Sequence, residues 1–159
     1  MTAEQRMNKA FKTFCAYLDG RNLKYDTEKT ESGSSKISLS GKGKDLTISF
    51  SIFFDVKNEL ISLLSQMPFD FKSDKMIEGA LACAIVSDNL REGSFDFNIA
   101  NGRVFYRLTN TVKGMDVSRE LCEHIFEIST LTVDNYNDKL FMVAKGMMTT
   151  QEFYDKIKG

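Results

Sequence analysis

The stretch that decides the fold is residues 93–110, GSFDFNIANGRVFYRLTN, in which two alternating runs are joined by Asn101 and Gly102. An Asn-Gly pair between alternating apolar residues is the strongest short-range signal for a β-hairpin with a two-residue turn. Such a turn places Ala100 directly opposite Arg103. The stretch therefore predicts two adjacent antiparallel strands.

The predicted register gives each face of the hairpin its own character. Three apolar pairs share the face that we expect to lie on the core: Phe95–Leu108, Phe97–Tyr106 and Ile99–Val104. The other face carries two pairs: Asp96–Arg107 and Asn98–Phe105. A slip by one residue would exchange the two faces, so the alternation specifies the register.

Apolar spacing and capping residues indicate three helices outside the hairpin. A helix is expected over 3–20, where apolar residues recur at helical spacing. A long helix is expected from Asp116 or Ser118 to about Lys145, just before Gly146. Thr149 and Glu152 form a capping box that opens a last short helix. The chain thus ends in a helical tail over 147–159.

A fourth helix is expected over 73–91, with Ser73 as its N-cap and Gly93 after its end. We expect its inward face to consist of Ile77, Leu81, Ala84 and Ile85. Glycine and alanine are frequent between 79 and 84, so the helix is thin. A thin helix packs closely against a sheet of its own chain or against a second copy of itself.

The first half of the chain predicts further strands. Alternation indicates strands over 36–40 and 46–54, and in the second the even-numbered residues face the core while Phe53 faces away. The polar segment 28–36, EKTESGSSK, is expected to be a mobile loop. The segment 59–67 fits a helix and a strand about equally by its spacing, and it is followed by Pro68.

Composition places the chain among single-domain cytoplasmic proteins. Its 159 residues suit one domain, 1–159, and 42% of them are hydrophobic. The 21 basic and 22 acidic residues nearly balance, so nucleic acid and anionic membranes are not expected partners. Three widely spaced cysteines are expected to be reduced, and the opening MTAEQRMNKAF has no apolar core typical of a signal peptide. No apolar run reaches the length of a membrane span.

No motif in the chain specifies a chemistry. His124 is the single histidine, and Cys122, two residues away on the same predicted helix, points to a different side. The oxygen-rich stretch 134–138 lacks the glycine and the distal glutamate of a calcium loop. SGKGK at 40–44 lacks the spacing of a phosphate-binding loop. We therefore expect no catalytic residues, no cofactor and no metal site.

The order helix, strands, helix, hairpin, long helix indicates an α+β domain with a mainly antiparallel sheet. The segment 84–110, AIVSDNLREGSFDFNIANGRVFYRLTN, resembles the YbjN-like family of bacterial proteins, labelled "putative sensory transduction regulators". Residues 116–140, DVSRELCEHIFEISTLTVDNYNDKL, resemble the last helix of that family. The resemblance implies a fold like that of type III secretion chaperones, with five to six strands. It also implies that 59–67 is a strand.

The resemblance and the residues together favour a non-enzymatic protein-interaction or regulatory module. Phe53 and Phe105 face away from the predicted core, and Asp96 and Arg107 lie beside Phe105. Either the helix over 73–91 covers these residues, or they form an interface with a protein partner or with a second copy in a homodimer. A secretion-type chaperone for a dedicated partner is the alternative, and an enzyme of unknown class is a further one.

Overall fold

The computed structural model describes all 159 residues and contains one six-stranded antiparallel sheet in the order β1-β2-β3-β4-β6-β5. The strands are β1 (Asp26–Lys29), β2 (Ser35–Lys42), β3 (Thr47–Asp55), β4 (Leu60–Asp70), β5 (Ser94–Asn98) and β6 (Arg103–Thr111). The helices are α1 (Ala3–Gly20), α2 (Met76–Asp88), α3 (Arg119–Ala144) and α4 (Thr150–Lys158). The expected α+β class, with an N-terminal, a middle and a long C-terminal helix, is confirmed.

The helices all lie on the same face of the sheet. The ring of Phe14 in α1 meets Phe54 of β3 at 5.9 Å, and Phe126 of α3 meets Phe50 at 5.7 Å. Helix α2 packs on β5 from the same side, and α4 packs on α2 with Phe153 fully buried. One hydrophobic core of 32 buried residues fills the space between the sheet and the helices.

Helix ends follow the caps that the sequence predicts in three cases. Ser118 accepts a hydrogen bond from the Leu121 amide at the start of α3, and Gly146 after its end has a φ of 72°. The Thr149 hydroxyl accepts a hydrogen bond from the Glu152 amide at the start of α4. The prediction of Ser73 as an N-cap is wrong: residues Ser73–Lys75 form a short 3-10 turn without a side-chain cap, and α2 begins at Met76.

Residues 60–67 of the segment 59–67, which spacing left open, belong to strand β4, as the family resemblance implied, and Glu59 lies in the turn before it. The strand runs beyond Pro68 to Asp70. Pairing with β3 ends at Leu64, and the register with β6 shifts between Gln66 and Asp70. Proline lacks a backbone donor, and it is tolerated here because neither ladder is regular at Pro68.

The prediction of a mobile loop over 28–36 is wrong at both of its ends. Strand β1 includes Glu28 and Lys29, and β2 already begins at Ser35, so the turn is confined to 30–34. All four residues of β1 are exposed. An exposed edge strand needs no apolar alternation, which is why the composition of DTEK gave no strand signal.

The predicted hairpin register is wrong by two residues. Phe95 pairs with Tyr106 and Phe97 pairs with Val104, so four residues, 99–102, connect the strands. A shift of two keeps each residue on its expected face, but Ile99 leaves the core and becomes 78% exposed.

Side-chain and tertiary hydrogen bonds of the turn explain the longer connection. The Asn98 side chain accepts a hydrogen bond from the Ala100 amide at 2.9 Å, and the Asn98 carbonyl accepts one from the Gly102 amide at 2.8 Å. The Gly102 carbonyl in turn accepts a hydrogen bond from the Phe71 amide at 2.8 Å. The turn is therefore fixed to the end of β4 by a contact between segments that are distant in the sequence.

An ion pair joins the start of α1 to the turn before β4. The Arg6 guanidinium lies 2.8 Å from the Glu59 carboxylate, which also accepts a hydrogen bond from the Gly114 amide at 3.2 Å. These two donors hold the pKa of Glu59 below its usual value. Glu59 has a φ of 51°, an unusual backbone conformation for a residue with a side chain.

Candidate interaction surfaces

The face of the sheet opposite the helices, called here the open face, is not covered by any other element. Its side chains are mostly small hydroxyls: Ser38, Ser40, Ser49, Ser51, Ser62 and Thr109. The structure places Phe53 and Phe105 on this face, together with Leu64. The alternative in which the helix over 73–91 covers the two phenylalanines is wrong, because α2 lies on the other side of the sheet.

The predicted site residues share the open face, but they do not form one cluster. Phe53 pairs with Ser62 and Phe105 with Gln66, so strand β4 separates the two rings. Each ring is half-buried, and the ammonium of Lys36 lies 5.5 Å from the centre of the Phe53 ring. The open face is therefore a mainly polar surface with isolated apolar side chains, which is common for the wet side of an antiparallel sheet.

The charge pair predicted from the hairpin is present on the open face. The Arg107 Nε lies 2.9 Å from the Asp96 carboxylate, although the shifted register places Asp96 opposite Phe105. Leu64 is opposite Arg107 on the next strand. Arg107, Leu64 and Phe53 border a shallow depression of about 390 Å³.

Helix α2 carries Ile77, the most exposed apolar side chain in any helix or strand, and an exposed apolar stripe on this helix was not expected. The α2 ridge consists of Ile77, Leu81 and Ala84, and the first two are 81% and 48% exposed. The prediction of a packing face made of Ile77, Leu81, Ala84 and Ile85 is wrong for the first three residues, whereas Ile85 is partly buried and packs against the core. The buried side instead consists of smaller residues: Gly79, Ala82, Cys83 and Val86.

Helix α2 has this orientation because little space separates it from the aromatic rings beneath it. A Cβ atom on Gly79 would lie 2.6 Å from the Phe97 ring and 2.7 Å from the Phe71 ring, so only a glycine fits against both. Apolar residues are distributed around all sides of the helix, and periodicity therefore cannot identify the side that faces the core. The glycine itself was the available signal, since it marks the point of closest approach.

Contacts on several sides hold α2 in place. The Ser87 hydroxyl accepts a hydrogen bond from the Phe95 amide at 2.9 Å and donates one to the Phe95 carbonyl at 3.2 Å. At the end of the helix, Asp88 forms an ion pair with Lys158 of α4 at 2.7 Å. The ridge is therefore presented by a helix that is fixed to both the sheet and α4.

The potentially reactive side chains are dispersed. Cys15, Cys83 and Cys122 are free, and burial raises the pKa of both Cys83 and Cys122 to about 12. His124 is exposed and lies 2.8 Å from the Glu92 carboxylate. No group of three His, Cys, Asp or Glu side chains is placed to hold a metal ion. A neutral buried thiol is a poor nucleophile, so these positions are suited to packing.

No protein-family model matches the chain, and no curated protein matches it. A crystal structure of YbjN from E. coli, described as "a putative transcription regulator", matches with a TM-score of 0.55 over 81% of this chain and 92% of that chain. The protein has a YbjN-like fold. The two sequences are 12% identical, so this likeness concerns the fold alone.

The longest helix of this chain, α3, has 26 residues. Charged and polar side chains interrupt its apolar stripe, and no helix of the chain is long and apolar enough to cross a membrane.

Proposed function

We propose that this YbjN-like chain is a non-enzymatic protein-interaction module that inserts the α2 ridge into an apolar groove of a protein partner. The observation that carries the proposal is the exposure of Ile77 and Leu81 on a helix whose other side is already part of the core. Contiguous exposed apolar side chains are costly in water, and they mark contact sites more often than plain surface does.

The spacing and the surroundings of the ridge support a groove as the partner surface. Ile77, Leu81 and Ala84 are at positions i, i+4 and i+7, the spacing of helices that bind in grooves. Three side chains are too few for the roughly 800 Å² per partner that a stable dimer interface usually buries. Asp74 and Glu78 flank the ridge without an ion-pair partner, so a groove with a basic rim is complementary.

A regulatory or interaction module is the coarser function that the fold likeness supports, since YbjN is described as "a putative transcription regulator". The net charge of −1 favours a protein over nucleic acid as the partner of this chain. The three free cysteines support a cytoplasmic location.

The open face is the second candidate surface. Phe53, Phe105, Asp96 and Arg107 would there contact a partner that extends over the sheet. The absence of any helix over this face supports the proposal. The half-burial of both rings makes the surface a weaker candidate than the α2 ridge, because less apolar area is available to a partner.

The test compares the double variant Ile77→Ser, Leu81→Ser with Leu131→Ser as a matched control. Leu131 lies on α3 and is 55% exposed, so its replacement removes a similar apolar side chain outside the ridge. Each chain is immobilised and used for affinity capture from a lysate of the cells that produce the protein. We expect the unaltered chain and the control to capture one stoichiometric partner that the double variant does not retain.

Two further measurements identify the occupant of the ridge. Hydrogen exchange of the captured complex is expected to slow over 76–88, and light scattering of the isolated chain is expected to show a monomer at all concentrations. A dimer that the double variant dissociates would instead make a second copy the occupant. Equal capture of the partner by all three chains would contradict the role of the ridge.

A further inference from the structure

A recess of about 210 Å³ lies between the segment after α1, strands β2 and β3, and helix α3. Five apolar side chains line it: Leu23, Leu39, Ile48, Phe50 and Phe126. The rings of Phe50 and Phe126 meet edge to face at 5.7 Å, so they form a packed apolar wall. The recess contains no residue of the α2 ridge and none of the four candidate residues on the open face.

Gly41 leaves this recess unfilled. It alternates with Ile37 and Leu39 along β2 and pairs with the buried Ile48, so a side chain at this position would point toward the helices. A Cβ atom on Gly41 would have no other atom within 4 Å, and the backbone of Gly41 is not in the left-handed conformation. A larger residue could therefore occupy the position, and its side chain would enter the recess.

A tertiary contact holds the walls of the recess together. The Lys44 amide, in the turn between β2 and β3, donates a hydrogen bond of 2.8 Å to the Asp134 carboxylate of α3. Asp134 lies one helical turn beyond Thr130, which borders the recess. The space is therefore formed by the folded chain itself, and a ligand would not have to order its walls.

Two cations border the recess, Arg21 and Lys42, and no acidic side chain does. Arg21 donates through Nη1 to the Tyr17 hydroxyl at 2.7 Å and to the Glu127 carboxylate at 3.2 Å. Its Nε and Nη2 atoms form no hydrogen bond within the chain and remain available as donors. Lys42 is exposed and forms no ion pair. An anionic group at the recess therefore meets unused donors and positive charge.

We propose that the recess binds a small apolar carboxylic acid, with the hydrocarbon part against Phe50 and Phe126 and the carboxylate at Arg21 and Lys42. An apolar lining with a few polar groups that fix the orientation is typical of small-molecule sites. A protein cavity of about 150 Å³ accommodates benzene, so a recess of about 210 Å³ suits one ring or a chain of roughly six to eight carbons. This site is distinct from the α2 ridge and goes beyond the proposed function.

Calorimetric titration of the full chain with octanoate tests the inference. The control ligand is 1-octanol, which has the same number of carbons but no charge. We expect octanoate to bind with a dissociation constant below about 1 mM and at least about tenfold more tightly than 1-octanol, because only octanoate offers an ionised acceptor to Arg21. Methyl NMR signals of Leu23, Leu39 and Ile48 are expected to shift on binding, and these shifts locate the site without any substitution.

Filling the recess tests its role directly. Gly41→Leu places a side chain in the space, and we expect the folded variant to lose binding of both ligands. Ser38→Leu is the matched control, because it adds the same side chain to β2 on the open face. This control is expected to bind octanoate normally.

Charge variants test the position of the carboxylate. Arg21→Gln is expected to weaken octanoate binding by about tenfold and to leave 1-octanol binding unchanged, whereas a merely structural role of Arg21 would affect both ligands equally. Lys12→Gln removes the same charge from an exposed part of α1 and is expected to leave both unchanged. The α2 variant Ile77→Ser, Leu81→Ser is also expected to bind octanoate normally, so the two proposals fail separately.

Three results would overturn the inference. The first is an absence of octanoate binding, or equal binding of octanoate and 1-octanol. The second is normal octanoate binding by the folded Gly41→Leu variant, or a loss with Lys12→Gln as large as that with Arg21→Gln. The third is a set of methyl shifts confined to residues that do not line the recess.

Discussion

Replacing Gly102 by alanine tests how the central hairpin is held to the sheet. Gly102 has a φ of 73°, and an L-residue in this left-handed conformation costs about 1–2 kcal/mol. The added Cβ would also collide with the carbonyl oxygen of Phe71, so the chain segments must separate. Separation breaks the 2.8 Å hydrogen bond from the Phe71 amide to Gly102, which contributes about 1 kcal/mol. We expect a total loss of roughly 2–3 kcal/mol.

Gly33→Ala is the matched control for this variant. Gly33 has a φ of 82°, but no atom lies within 4 Å of the position of an added Cβ. The control therefore carries the backbone cost alone, about 1–2 kcal/mol. Urea denaturation of both variants measures the free energy of unfolding, and we expect Gly102→Ala to lose at least about 1 kcal/mol more than the control.

Equal losses in the two variants would refute this reasoning. In that case the contact with Phe71 would not hold the turn, and the four-residue connection would need another cause. A loss at Gly102 without a loss at Gly33 would equally contradict the assigned backbone cost.

Three other predictions follow from burial and charge. The double variant Phe53→Ser, Phe105→Ser should lower the free energy of unfolding by about 2 kcal/mol in total, because each ring is half-buried. A loss above about 4 kcal/mol, measured by urea denaturation, would show that the rings belong to the core and would remove the open face as an interface. Glu59 has a lowered pKa, so the unaltered chain should be more stable than Glu59→Gln by a constant amount above about pH 5, and this difference should shrink as the pH falls through the folded pKa of Glu59. A stability difference that grows in acid would contradict the ion pair with Arg6. Cys83 and Cys122 should resist alkylation by iodoacetamide at pH 8 until the chain unfolds, as mass spectrometry of native and denatured protein would show; modification of both in the native protein would refute their burial.

Local signals predicted much of the fold because they act over a few residues. The side-chain caps Ser118 and Thr149 mark the starts of α3 and α4, since each satisfies an amide within its own first turn. Strict alternation over 46–54 placed Ile48, Phe50 and Ile52 on the core, as observed. These features depend on neighbours in the sequence, which a pattern records directly.

The wrong predictions occur where contacts between segments distant in the sequence determine the structure. The hairpin register depends on a hydrogen bond between Gly102 and Phe71, and the Asn-Gly pattern contains no information about that contact. The orientation of α2 depends on the rings of Phe71 and Phe97 beneath Gly79. Of the candidate site, the open-face position of Phe53 was predictable from alternation, whereas the α2 ridge was assigned to the wrong side.

The two edge strands of the sheet, β1 and β5, are protected against added strands in different ways. Strand β1 is short and carries charged residues, which disfavour added strands. At β5 the Ser87 hydroxyl occupies both the amide and the carbonyl of Phe95. Charged side chains at one edge and the Ser87 hydroxyl at the other therefore limit unspecific pairing of the sheet with other strands.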